Sequence, residues 1–221
     1  SVLITDEVIA AIKDCCDLAP LHNPPNLLGI VACQELLPEV PQVAVFDTAF
    51  HQTMPKKAFL YGLEYNQYVR YGIRRYGFHG TSHGYVSRKA AEIMEKDIAE
   101  LKIITCHLGN GCSLAAVQNG DCIDTSMGLT PLEGVLMGTR CGDIDPYIPL
   151  YIMEKEGLTL DEINTLLNKK SGLFGLCGKR DMRDVITQME KKDEMARMAV
   201  EVYTYRIAKY IGSYTAAMNG V

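Results

Sequence analysis

The sequence predicts an α/β fold, and three observations carry that prediction. Apolar runs of strand length are grouped around glycine-rich turns between residues 102 and 125. Segments with helical periodicity, bracketed by capping residues and glycine stops, lie on both sides of them. Finally, the chain alternates between the two patterns instead of repeating one, which is the signature of mixed layers around a core.

Each element can be justified in order. Thr5 is a good N-cap, and Asp6 and Glu7 suit a helix N-terminus, so a helix is expected from there to about Leu18. The stretch "APLHNPPN" should break it with three prolines, after which Asn26 caps "LLGIVACQELL" as far as Pro38. "VAVFD" at 43–47 reads as a short buried strand delivering Asp47 to its C-terminal end, where open α/β sheets place ligands. "TAFHQTMP" reads as a loop. The aromatics Phe59, Tyr61, Tyr65, Tyr68, Tyr71 and Tyr76 are expected to pack beneath a loop-rich region. An amphipathic helix should open at Thr81 or Ser82.

Three consecutive strands are expected in "KIITCHLGNGCSLAAVQNGDCIDTS", the second turn being the Asn119-Gly120 hairpin signal. Asp145-Pro146 opens a helix stopped by Gly157, and Thr159 with Glu162 forms a capping box. From Asp181 to Asn219 the chain reads as helical, with Met195, Met198, Val202, Tyr203, Tyr210 and Ile211 as the core-facing stripe.

Composition excludes several classes of function. A net charge of -5 over 221 residues argues against nucleic-acid binding, which calls for a basic surface, and so against reading the aromatics as a base-stacking platform. No apolar run approaches the roughly 18 residues of a membrane span, and no leader opens the chain, so no membrane partner is expected. The eight cysteines include an adjacent pair, Cys15 and Cys16, with the rest scattered and no C-x-x-C spacing. They read as small buried hydrophobes in a reducing cytoplasm. Both ends look cut: Ser1 replaces an initiator Met, and "MNGV" stops where a new element would begin.

Polar residues concentrate at four places: Asp47 in "VFDTAFH", His79 and His83 in "FHGTSH", His107 in "HLGNG", and Arg140 with Asp143 and Asp145 in "GTRCGDIDP". His79 and His83 are four apart and could share a zinc ion on one helix face, but Gly80, Thr81 and Ser82 between them place His79 before the helix. Arg140 lies between glycines, where its guanidinium could take a phosphate or carboxylate, or pair with Asp143 or Asp145. The tip His107–Gly111 is either a plain tight turn or a backbone loop that approaches an anion.

Taken together, "APLHNP", "VAVFDTAFHQTMP", "RRYGFHGTSH", "HLGNGCSLAAV", "DTSMGLTPLEGVLMGTRCGDIDP" and "DMRDV" resemble the acetate kinases, in the superfamily of actin, the hexokinases and the heat-shock ATPases. The resemblance implies the actin-like, ribonuclease H-like fold. Residues 1–50 would end the first, acetate-side domain, and 51–221 would form an incomplete second, nucleotide-side domain. It implies transfer of phosphate between ATP and acetate with Mg²⁺ or Mn²⁺, in a cytoplasmic homodimer; propionate kinases and a non-catalytic nucleotide-binding fragment are the alternatives. It makes Asp47 the active-site carboxylate and His79 and Arg140 the groups that stabilise the transition state. His107, Leu108, Gly109, Asn110 and Gly111 would approach the phosphates, and Asp181, Met182 and Arg183 would help bind ATP. Leu21, Phe78 and Pro131 would line the pocket for the acetate methyl. No protein ligand to the metal is assigned. "CGKRDMRD" carries Lys179-Arg180 where serines are usual in the family. The family's "NAGSSS"-, "RxVHGG"- and "GGIGEN"-like segments are not in the sequence, so the 221 residues alone are expected to be inactive.

Overall fold

A computed structural model describes residues 1–16 and 23–221. The first helix, α1 (Asp6–Asp14), begins as its sequence dictates: Thr5 accepts the Val8 N–H, and Asp6 and Glu7 occupy the first turn. It ends at Asp14, short of the expected Leu18, with Cys15 as its C-cap. The second helix, α2 (Asn23–Leu36), starts three residues before the predicted Asn26. Pro24 and Pro25 cause no break, because first-turn residues have no intrahelical N–H bond to lose.

The "VAVFD" run does not become a buried strand. Only Val43–Ala44 (β2) pairs, antiparallel to Val2–Leu3 (β1). Val43, Val45 and Phe46 remain exposed, and Asp47 lies three residues beyond the strand. Residues expected as loop form a 3-10 turn, Ala49–Thr53, that carries His51 inside. Two short helices follow, α3 (Lys56–Phe59) and α4 (Tyr65–Tyr71). Phe59 is buried with Met54, Ala115 and Cys122, and Tyr68 packs against them, whereas Tyr65 and Tyr71 stay exposed. Helix α5 (Gly80–Ile93) starts at least two residues earlier than the predicted caps allow.

The three predicted strands form one antiparallel sheet in the order β3 (Lys102–Leu108), β4 (Cys112–Gln118), β5 (Asp121–Thr125). Asn119 and Gly120 both take positive φ, 56° and 88°, as a two-residue hairpin requires. Residues 112–117 of β4 are all buried, since β4 has a neighbour on each edge and the C-terminal helix, residues 194–217, against it.

Helix α6 (Tyr147–Glu156) ends at Gly157 in the left-handed region, and α7 (Leu160–Lys169) carries the complete Thr159–Glu162 capping box. After α8 (Gly172–Cys177) and α9 (Met182–Glu190), the long α10 (Glu194–Ala217) covers the sheet. The face of α10 turned to the core is the predicted one only in part: Tyr203 is buried and Val202 and Tyr210 pack against the core. Ala196, Ala199, Tyr203 and Tyr214 are buried, while Met195, Met198 and Ile211 are exposed. One residue is about 100° of helix rotation, so choosing the large Met195 over the small Ala196 misplaced the start of the stripe. All eight cysteines are free, but only Cys112 and Cys122 are buried, and Cys15, Cys33 and Cys106 are exposed. Among the described residues, no helix is long and apolar enough to cross a membrane.

Candidate active site

The N-terminus of α5 is fastened to Asp47. The Asp47 backbone carbonyl accepts the Gly80 N–H at 2.8 Å, and Asp47 Oδ2 accepts the His79 N–H at 2.6 Å. A carboxylate at this end of a helix also meets the positive end of its dipole. Position 80 must be glycine because a Cβ there would lie 2.3 Å from the Asp47 carbonyl oxygen. His79 itself is the N-cap and adopts φ 57°, the left-handed region. Thr81 and Ser82, the predicted caps, lie inside the first turn instead.

Four histidine rings gather around this junction. His79 stacks on His107 with centroids 3.9 Å apart and planes 18° apart, and His83 lies 5.8 Å from His51. His51 Nε2–H donates to the Phe78 carbonyl at 2.8 Å, so its Nδ1 accepts from the Cys122 thiol at 3.1 Å. Burial keeps that thiol protonated by pushing it up to about 12. His79 Nδ1 lies 2.8 Å from Ser113 Oγ, and His107 Nδ1 lies 2.9 Å from Ser82 Oγ. Burial, then the neighbouring His107, brings His79 down to about 4; burial and His51 bring His83 to about 3. Both are therefore neutral imidazoles at pH 7. Among the described residues no three His, Cys, Asp or Glu converge on a possible metal site, so the zinc alternative finds no support there.

Arg140 reaches the same place from the other side. Its Nη1 donates to the Pro131 carbonyl at 3.2 Å, and burial draws the guanidinium below its ordinary pKa. It forms no ion pair with Asp143 or Asp145. Asp143 accepts from the Gly134 N–H and the Tyr210 hydroxyl, and Asp145 caps Tyr147. A half-buried cation with no carboxylate partner among the described residues can take an anion.

The hairpin tip joins the two sides. A Cβ at Gly111 would lie 3.2 Å from Arg140 Nη1 and 3.4 Å from His79 Nε2, so the missing side chain leaves room between two donors. Gly109 N–H closes the tip onto the Gly111 carbonyl at 3.2 Å, leaving the Asn110 and Gly111 N–H groups without partners among the described residues. Backbone amides grouped in this way make an anion-binding concavity. The tip also borders a cavity of about 710 Å³, lined by Leu108, Gly109, Asn110, Gly138, Leu173 and Tyr203. Arg180, Asp181 and Met182 also border it.

The remaining predicted residues are divided. Arg183 is absent from the cavity wall; its guanidinium binds Asp181 at 2.6 and 3.0 Å while Asp181 caps α9. That bond holds the Asp181 carboxyl down at about 2. Phe78 packs against the main core, Pro131 holds Arg140, and Leu21 falls outside the described residues. Gly138, Leu173, Arg180 and Tyr203 were not foreseen in the cavity. Tyr203 was expected in the core, and it serves both places, its hydroxyl 3.3 Å from Cys112 Sγ at the foot of the tip.

The chain matches the family model described as the acetokinase family over residues 1–221. It is 62% identical over 221 residues to the acetate kinase of Carboxydothermus hydrogenoformans, covering 100% of this chain and 56% of that protein. The crystal structure of Porphyromonas gingivalis acetate kinase superposes with a TM-score of 0.95 at 52% identity, over 100% of this chain and 55% of that one. A propionate kinase from Francisella tularensis subsp. tularensis SCHU S4 superposes with a TM-score of 0.95 at 51% identity, over 98% and 56%. The chain thus spans about half the length of the relatives it matches. Its architecture is the α/β, actin-like ATPase fold of those kinases.

Proposed function

Because the chain belongs to the acetokinase family, we propose that the whole protein transfers the γ-phosphoryl group of ATP reversibly to acetate, giving ADP and acetyl phosphate. The observation that carries this reading is the glycine tip: Leu108, Gly109 and Asn110 line the cavity, and the next residue, Gly111, lies beside His79 Nε2 and Arg140 Nη1. A nucleotide in the cavity would run its phosphates along the Asn110 and Gly111 amides. Its terminal phosphoryl group would then lie between His79 Nε2 and the Arg140 guanidinium. Phosphoryl transfer needs positioning and charge stabilisation more than covalent help, and these two donors supply both to the equatorial oxygens.

Asp47 is not required as a base. A carboxylic acid acceptor, with a pKa of roughly 4 to 5, is already ionised at pH 7 and has no proton to give. Asp47 instead holds the His79 peptide and orients either the acceptor or the waters of a metal borne by the nucleotide. Mg²⁺, or Mn²⁺, would neutralise phosphate charge, held chiefly by the phosphates and by water. Asp181 and Met182 border the nucleotide cavity, Arg183 acts through Asp181, and Leu21, Phe78 and Pro131 would face the acetate methyl. On this reading residues 1–50 belong to the acetate-side domain and 51–221 to the nucleotide-side domain of a cytoplasmic homodimer.

Propionate is the second acceptor to consider, since a propionate kinase superposes on this chain as closely as an acetate kinase does. The test is hydroxylamine trapping of the acyl phosphate made by the whole protein from ATP, Mg²⁺ and each acid. Acetyl hydroxamate should form, with kcat/KM for acetate about 10- to 200-fold above that for propionate, the range one methylene commands. The reverse order would assign a propionate kinase, and no hydroxamate from either acid would overturn the reading. The 221 residues alone should form none.

A further inference from the structure

Behind His79 runs a line of three buried hydrogen-bonding groups that the transfer itself does not use. Thr105 Oγ1 lies 2.7 Å from His83 Nδ1, His83 Nε2 lies 2.7 Å from Ser113 Oγ, and Ser113 Oγ lies 2.8 Å from His79 Nδ1. Thr105, His83 and Ser113 are at most 3% exposed, so water does not complete their bonding. Each hydroxyl has one proton to donate, and each neutral imidazole has one N–H. If both imidazoles donated to Ser113, its buried proton would have no acceptor, and if neither did, its single proton would leave one nitrogen lone pair facing the oxygen at 2.7 or 2.8 Å, costs that folded proteins avoid. Two arrangements remain, with every donor pointing towards the site or every donor pointing away.

Thr105 decides between them. If the donors point away, His83 Nδ1–H donates to Thr105, whose own proton must go to the Ala115 carbonyl at 3.5 Å, the outer limit of a hydrogen bond. If they point towards the site, Thr105 donates to His83 at 2.7 Å, His83 to Ser113 at 2.7 Å and Ser113 to His79 at 2.8 Å. Every proton is then well placed. His79 Nδ1 becomes an acceptor, and its single N–H is forced onto Nε2, the atom that faces Gly111 and Arg140.

We infer that Thr105, His83 and Ser113 are positioning residues that fix His79 as the Nε2–H tautomer, so that it presents a donor, never a lone pair, to the phosphoryl group. This rests on the phosphoryl-transfer reading for its purpose, though not for its geometry. A lone pair on Nε2 would repel the phosphoryl oxygens that Arg140 attracts. The β-hairpin carries all of the polarity: Thr105 comes from β3, Ser113 from β4, and both side chains point to the face on which α5 lies.

The test is ¹⁵N NMR of the whole protein labelled at histidine, without nucleotide at pH 7.5, together with steady-state kinetics. His79 should give a protonated Nε2 and an unprotonated Nδ1. Thr105→Val keeps the shape and deletes the hydroxyl, so a substantial Nδ1–H population should appear, with kcat down by about tenfold and the KM for ATP little changed, as for other partners that orient a functional group. Thr105→Ser should restore both tautomer and kcat. A wild-type His79 found as Nδ1–H overturns the inference, as does a Thr105→Val tautomer identical to wild type. Should Thr105→Val not fold, the wild-type spectrum and Ser113→Ala, which cuts the line beside His79, give the same decision. A protein with the expected tautomer but no kinase activity would sink the proposed reaction and leave this inference standing.

Discussion

Strands β2 and β4 come from similar sequence and reach opposite ends. "VAVF" at 43–46 is as apolar as "LAAV" at 114–117, yet the first pairs over two residues and stays exposed while the second is fully buried. The difference extends to their regions. No described residue from 1 to 46 is buried, whereas β4 has a strand on each edge and α10 against it. An apolar run signals willingness to be covered. Only neighbours supply the cover, and the described residues supply it to β4 alone.

The comparison can be tested where the effect should be largest. The groups proposed to face the phosphoryl oxygens meet at the tip of the buried hairpin, so Arg140→Ala in the whole protein should lower kcat by about 10²–10³-fold, as loss of one transition-state donor does. Steady-state kinetics with acetate would show it; a loss below tenfold would remove Arg140 from the proposed mechanism. Leu114→Ala should destabilise the fold by about 2–5 kcal/mol in urea unfolding, because it empties a site with no exposure.

Third in size is a pH effect tied to the histidine cluster. His79 and His83 titrate at about 4 and about 3 in the folded protein, against roughly 6.5 unfolded. Below pH 6.5 the unfolded chain therefore takes up protons that the folded one refuses. Their stabilisation is complete above about pH 6.5 and is lost as pH falls towards 4 and then 3. Urea midpoints between pH 7 and pH 4.5 should decline steadily; a flat series would mean that the rings are not buried as described. Smallest of all, Leu28→Ala on the exposed α2 should change the urea midpoint by no more than about 0.5 kcal/mol equivalent in the isolated chain. A larger loss there would show that the first region is covered after all.

What could be read in the sequence was whatever is decided within a few residues. The Asn119-Gly120 turn, the Thr159–Glu162 box, the Gly157 stop and the Thr5 cap formed as written, because each satisfies its own backbone groups. The depth of β2, the full buried face of α10 and the burial of the cysteines depend on packing partners far away in the chain, and there the reading held only in part. The candidate site divides along the same line. Asp47, His79, Arg140 and the glycine tip stood out as polar residues in glycine-rich contexts. Thr105 and Ser113 looked like ordinary strand residues, and nothing nearby in the sequence marks a hydroxyl as a partner for histidine. Tyr203 meets Cys112 across 91 positions, a pairing only the folded chain makes visible.

The left-handed peptide at His79 has a mechanical consequence. A residue with a Cβ held at φ 57° stores about 1–3 kcal/mol, and what opposes its release is the grip of Asp47 on two successive N–H groups. If that grip loosens, the backbone can relax to an ordinary helical turn without unravelling α5 or the hairpin. The ring would swing off its target while the scaffold remained intact. The most fragile joint of the candidate site is therefore one peptide unit, clamped like a sprung latch between two sturdier parts.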